Sequence, residues 1–207
     1  MLHLIFGRAG SGKTEYARAL LAEKVRSGEG SIYFLVPEQY SFEREKALQR
    51  ELKEKSLGVE VLSFTRLADR VQREYGGMAG RRLNESGRVL LMSQALARVA
   101  DSLELYRRQT ENGEFISLML HMAQECKMCG VEPAKLLTVA QTMADGTLKS
   151  KTQEIGAVLT EYEALVSKSF LDPLDDLTRL KNQLAAHPFF AGAFVAVDSF
   201  TGFTAQE

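Results

Sequence analysis

Leu2-His3-Leu4-Ile5-Phe6, running into Gly7-Arg8-Ala9-Gly10-Ser11-Gly12-Lys13-Thr14, is the stretch on which the fold reading turns. Its first five residues read as a short apolar strand. The next eight fit the Walker A pattern G-x-x-x-x-G-K-[ST], and Lys13 to about Arg26 reads as a helix with Tyr16, Ala17, Leu20, Leu21 and Val25 on one face. Glycines in such a turn let successive backbone N–H groups curl toward an anion, and the helix that starts there adds its positive end. Lys13 then reaches the outer phosphates of a nucleotide as a point charge, and the Thr14 hydroxyl ligates Mg²⁺. The expectation is that Gly7, Arg8, Ala9, Gly10, Ser11, Gly12, Lys13 and Thr14 hold the phosphates of ATP. Six residues precede Gly7, too few for an upstream motif that reads the base, so base specificity is open.

Outward from that stretch, Ile32 to Val36 reads as a second buried strand closed by Pro37, residues 42–55 as a charged helix, Val59 to Leu62 as a third strand and Phe64 to Tyr75 as a third helix. Alternation of this kind predicts a parallel sheet with crossover helices. From Asn84 to about Ala186 the pattern is helix after helix with no convincing strand, and Phe194 to Val197 then restores a fourth strand. The predicted fold is therefore α/β, a P-loop NTPase with a RecA-like parallel sheet and a large all-helical insertion. Residues 1–80 plus 190–207 would form an incomplete nucleotide-binding domain, and 81–189 the insertion. Thr204 and Glu207 have the spacing of a helix capping box, so the chain reads as a piece of a longer protein.

Asp198 follows the fourth strand, where a carboxylate holds the metal of a nucleotide site from the far side. The next position is Ser199, where an active ATPase carries a glutamate that activates water. A hydroxyl is a poor general base, so Mg-ATP binding with slow or no hydrolysis is expected, unless Glu38 or Glu207 substitutes in space. No catalytic residue is assigned.

Arg66, Arg70 and Arg73 fall at i, i+4 and i+7 and share one face of the third helix, beside Phe64 and Thr65. That stripe is either a track for the phosphates of single-stranded DNA or an ordinary solvated face interrupted by Asp69 and Glu74. Tyr40 and Phe42, after the second strand, read as core more readily than as base-stacking rings. Twenty-six basic and 27 acidic residues leave a net charge of -1, so any nucleic-acid contact has to be local. No apolar run approaches bilayer length and no signal segment is present, which predicts a cytoplasmic protein without membrane contact. Cys126 and Cys129 read as buried reduced thiols, and His3 as packed in the first strand. His121 and His187 lack metal-ligand spacing, and the methionines of 119–128 read as helix core.

Taken together, Gly7 to Thr14, the Ser63-Phe64-Thr65 step, the helical block and Asp198 resemble a superfamily-one helicase. The closer resemblance, over the whole chain, is to the AddB (RexB) subunits of bacterial AddAB helicase–nucleases. It rests on Gly7 to Thr14 so near the start, Leu35-Val36-Pro37-Glu38-Gln39, Phe170-Leu171-Asp172-Pro173-Leu174-Asp175-Asp176-Leu177, and Val197-Asp198-Ser199-Phe200-Thr201-Gly202-Phe203-Thr204 with Gln206-Glu207. The Asp-Ser-Phe-Thr-Gly-Phe segment departs from active helicases. The resemblance implies an ATP-dependent helicase/exonuclease that processes double-strand breaks for recombination and repair. It also implies a heterodimeric AddA-like motor partner, contact with DNA including single strands, and an iron–sulfur cluster in a C-terminal part that lies outside these residues. Two other classes remain: a nucleotide-dependent scaffold that biases DNA or partner affinity without catalysis, and a P-loop small-molecule kinase.

Overall fold

A computed structural model describes residues 1–28, 30–77 and 79–207. In chain order it contains α1 (Lys13–Ser27), β1 (Ile32–Leu35), α2 (Glu38–Leu52), β2 (Val59–Leu62), α3 (Phe64–Tyr75), β3 (Arg81–Arg82) and α4 (Glu85–Val99). These are followed by α5 (Gly113–Met128), α6 (Pro133–Thr142), α7 (Thr147–Ser169), β4 (Phe170–Leu171), α8 (Asp176–Ala186) and β5 (Phe194–Val197), with short 3₁₀ turns between. Two compact units emerge. One comprises Met1–Gly76 and Arg179–Phe203, the other Gly77–Thr178 and Thr204–Glu207.

The first unit is built on a parallel sheet of order β2-β1-β5, with Ile32 in register with Val59 on one side and Phe194 on the other. The central strand, Ile-Tyr-Phe-Leu, is buried along its whole length, as a strand covered on both faces must be. Leu21 of α1 and Leu48 and Leu52 of α2 pack on Ile32, Phe34, Val59 and Val61. Helix α3 begins at Ser63, whose hydroxyl accepts from the Arg66 N–H at 3.2 Å. It buries Leu67, Ala68 and Val71, the spacing of one helical face.

The expected first strand does not form. Residues 1–8 carry no regular structure, and Leu2, Leu4 and Phe6 are 82%, 66% and 85% exposed. The α/β class stands, but the P-loop NTPase fold does not, because the strand that would deliver Gly7 from the sheet is missing. A five-residue apolar segment joins a parallel sheet only where both its faces are covered. The edge strand β5 is itself only half-buried, with Val197 52% exposed, so no such cover exists.

The second unit is helical. Met92 and Leu96 of α4, Met119 of α5, and Val158, Leu159 and Tyr162 of α7 form its core. Asn84 and Asn112 cap α4 and α5 through their side-chain oxygens, and Pro133 occupies the first turn of α6. One expectation is corrected here: the helical stretch holds a two-residue strand, β4, paired in parallel with β3. Leu83 N–H extends the ladder to Leu171 O at 2.9 Å.

Two buried polar groups hold this unit together. The Glu154 carboxylate on α7 accepts the backbone N–H groups of Glu104, Leu105 and Tyr106 at 2.9, 2.9 and 3.0 Å. Lys127 Nζ sits 3.0, 3.3 and 2.8 Å from Glu163, Asp172 and Asp175. Burial works against the ammonium charge there, and the three carboxylates more than offset it, so the lysine titrates above its usual range.

Candidate functional site

Parallel strands bring their carboxyl ends to one side of a sheet, which is where ligands bind in folds of this class. Three peptide turns meet there in the first unit: Val36-Pro37-Glu38 after β1, Ser63-Phe64 after β2, and Asp198-Ser199-Phe200 after β5. Backbone bonds from Val36 N–H to Leu62 O at 2.9 Å and from Asp198 N–H to Leu35 O at 3.0 Å lock the three in register. The Ser63 hydroxyl donates to the Glu38 carboxylate.

Ser199 has φ 68°, a left-handed conformation that a non-glycine residue adopts at a cost of about 1 kcal/mol or more. Its hydroxyl donates to Asp198 Oδ2 at 3.0 Å and accepts from Arg44 Nη2 at 3.2 Å. The turn aims Phe200 at Phe64, with ring centroids 5.4 Å apart. Phe203 closes the triangle at 5.0 Å from Phe200 and 6.3 Å from Phe64. Phe203 is 59% exposed, so the cluster presents aromatic surface to solvent.

The arginine stripe is real but partly neutralised. Arg66 lies 3.6 Å from Glu45, and Arg70 meets Glu60 at 3.2 Å and Glu74 at 2.6 Å, while Arg73 and Thr65 are exposed. Arg66 also borders a cavity of about 300 Å³ that Glu45 and Glu60 help to line, an acidic setting that disfavours phosphates. Tyr40 and Phe42, expected in the core, are instead 37% and 73% exposed. Sequence reasoning missed that Phe200 and Phe203 join Phe64; three aromatics at the ends of strands read as apolar were the available signal.

The glycine-rich stretch leads into α1. Gly10 and Gly12 have φ 76° and 83°, and Gly12 precedes α1. Lys13 Nζ donates to Gly7 O at 2.9 Å and Arg8 O at 2.8 Å, folding the ammonium onto the loop's own carbonyls. Among the described residues no hydrogen bond joins Lys13 or Thr14 to Asp198, whose carboxylate is engaged by Ser199. Neither proposed substitute for the water activator is free: Glu38 is held by Ser63, and Glu207 accepts from Thr204 N–H at 2.9 Å.

Other expectations resolve simply. Cys129 is exposed, not buried, whereas Cys126 packs against the helical core and burial raises its thiol pKa. His3 is exposed. No group of three or more His, Cys, Asp and Glu among the described residues suits a metal, and no described helix is long and apolar enough to cross a membrane.

Known proteins give this geometry a context. A family model described as ADDB, N-terminal, matches residues 4–207. Over the full chain the sequence is 34% identical to a Clostridium tetani protein named as a subunit of an ATP-dependent helicase/deoxyribonuclease. It is 32% and 30% identical to proteins of the same name from Thermoanaerobacter sp. and Clostridioides difficile. The chain spans 18% of the length of these relatives. With residues 4–207 matched by the family model and its full length by these relatives, the chain belongs to the ADDB N-terminal family.

Proposed function

We propose that this chain is the DNA-strand-contacting region of a subunit of an ATP-dependent helicase/deoxyribonuclease that acts in double-strand-break repair, working beside a motor partner in the cytoplasm. The observation that carries the reading is the triangle of half-buried Phe64 and Phe200 with exposed Phe203 at the carboxyl end of the parallel sheet. Bases of a single strand stack on such rings without regard to sequence, at about 1–3 kcal/mol per base. Thr65, next to Phe64 at the start of α3, and Arg73 on the same helix are exposed and open to the strand, while Arg66 and Arg70 face glutamates. The experiment is binding of a fluorescent oligothymidylate to the full-length protein. Phe64→Ala and Phe200→Ala should each weaken it about tenfold. Unchanged affinity in both folded variants would remove the reading.

ATP belongs to the same proposal through a different observation. The positive-φ glycines 10 and 12 at the start of α1 leave backbone N–H groups available to phosphates. The two carbonyls that Lys13 now contacts are partners it can exchange for phosphate oxygens. Mg²⁺ would arrive with the nucleotide and take Thr14, and Asp198 if the loop brings the two together. Ser199 supplies no base, so binding without appreciable turnover is the expected behaviour. The family's iron–sulfur cluster belongs to residues outside this chain.

A further inference from the structure

Arg44 is set apart by what it lacks. Of the half-buried arginines, Arg18, Arg70 and Arg88 each have a carboxylate within 4 Å: Glu51 at 2.7 Å, Glu74 at 2.6 Å and Asp172 at 3.8 Å. Arg44, on the second turn of α2, has none among the described residues. Its one hydrogen bond goes to the neutral Ser199 hydroxyl at 3.2 Å, and its buried Nε, like those of Arg18 and Arg88, makes no hydrogen bond. The guanidinium also lies 5.9 Å from the centroid of the Tyr40 ring, which restricts its orientation without neutralising it. The nearest acid through bonds is Asp198, one hydroxyl further on.

A half-buried guanidinium with no carboxylate within 4 Å is disfavoured, and a fold retains it most readily where an anion completes the site. Ser199 is the device that aims it. The left-handed turn at φ 68° is a strained conformation, and it places the hydroxyl between Arg44 and Asp198. The same turn positions Phe200 in the aromatic triangle, so the cation and the rings are fixed by one residue.

We propose that Arg44, oriented by Ser199 and Tyr40, is a phosphate-binding residue that holds a phosphodiester of the strand whose bases stack on Phe64, Phe200 and Phe203. The inference rests on the proposed strand contact for its ligand and on the unpaired guanidinium for its site. A phosphate of a bound nucleotide has the same chemistry, and the experiment separates the two sources.

Oligothymidylate binding to the full-length protein is measured by anisotropy across a salt series, and binding of a fluorescent ATP analogue alongside it. Arg44→Gln should weaken oligothymidylate binding about tenfold and reduce the log–log salt slope by about 0.7, the loss of one phosphate contact on a single strand. ATP-analogue affinity should not change, and Arg44→Lys should recover most of the salt slope. Ser199→Gly keeps the left-handed turn and removes the hydroxyl, so it should weaken binding about threefold with the slope unchanged. Loss of ATP-analogue affinity with DNA binding intact assigns the seat to a nucleotide phosphate. No change in either ligand for folded Arg44→Gln overturns the proposal. Should Phe200→Ala leave DNA binding intact while Arg44→Gln weakens it, the aromatic reading fails and the phosphate seat stands; the reverse outcome removes Arg44 alone.

Discussion

The Tyr162 hydroxyl, fully buried on α7, donates to the Asp172 carboxylate at 3.4 Å in the middle of the helical unit, beside Lys127. Burial first, and the Asp172 charge second, push the Tyr162 phenol from 10.0 up to about 12. A group whose pKa is raised on folding contributes stability that is complete below its unfolded value and is lost as pH rises through the folded one. Unfolding should therefore become easier between about pH 10 and about 12, by about 2–3 kcal/mol from this group. Lys127, also raised, acts in the same direction. Urea melts across that range check it: Tyr162→Phe should flatten the alkaline decline, and an identical decline would assign it elsewhere.

Removing Lys127 should be more damaging than removing Tyr162. Lys127→Met leaves Glu163, Asp172 and Asp175 gathered without their shared cation, with the Arg88 guanidinium 3.8 Å from Asp172. Breaking a buried pair from one side costs about 3–5 kcal/mol. The variant's urea midpoint should fall accordingly at neutral pH. Part of the loss should return in acid, where Glu163, whose pKa burial raises, takes up a proton.

Glu154 makes a similar test of the loop before α5. Glu154→Ala strips the partner from three backbone N–H groups, those of residues 104, 105 and 106. A loss of about 3 kcal/mol is expected, with amide hydrogen exchange accelerating at those three positions before it does in α4. Uniform acceleration throughout the unit would show that the carboxylate supports global packing instead.

Gly30 has φ 45°, and a Cβ there would stand 2.8 Å from the Gly192 carbonyl oxygen. Backbone cannot yield as a side chain end can, so Gly30→Ala combines a clash with left-handed strain and should cost about 2 kcal/mol. Gly113, where a Cβ meets nothing within 4 Å and φ is not positive, is the control. Gly113→Ala should leave the melting temperature nearly unchanged.

For the loop before α1, Lys13→Ala in the full-length protein should lower the affinity for a fluorescent ATP analogue at least tenfold, on the order of one lost charge-assisted contact. Full affinity in that variant would remove ATP from this loop.

Much of the local structure was legible from residue patterns. Helix α3 falls on Phe64–Tyr75 as read from the sequence, and β1, β2 and β5 occupy the apolar runs read as strands. These features depend on neighbours a few residues away. Helix α2 begins at Glu38, four residues before the predicted position, because Ser63 holds Glu38 from a strand away. The capping bonds between Thr204 and Glu207 form as their spacing suggests, at 2.9 and 3.3 Å.

The amino-acid sequence by itself determined most of the element types, the Thr204–Glu207 capping pair and the family. Each is written in spacing along the chain, through side-chain periodicity, side-chain-to-backbone bonds or residue identity. Only the tertiary structure decided that Leu2–Phe6 stays outside the sheet, because strand pairing depends on the burial available at a distant edge, here the half-exposed β5. It also decided that Arg44 meets Ser199, a contact across 155 positions that no local pattern encodes. Likewise it brought Phe64, Phe200 and Phe203 into one surface, since parallel strands gather their carboxyl ends regardless of how far apart they lie in the chain.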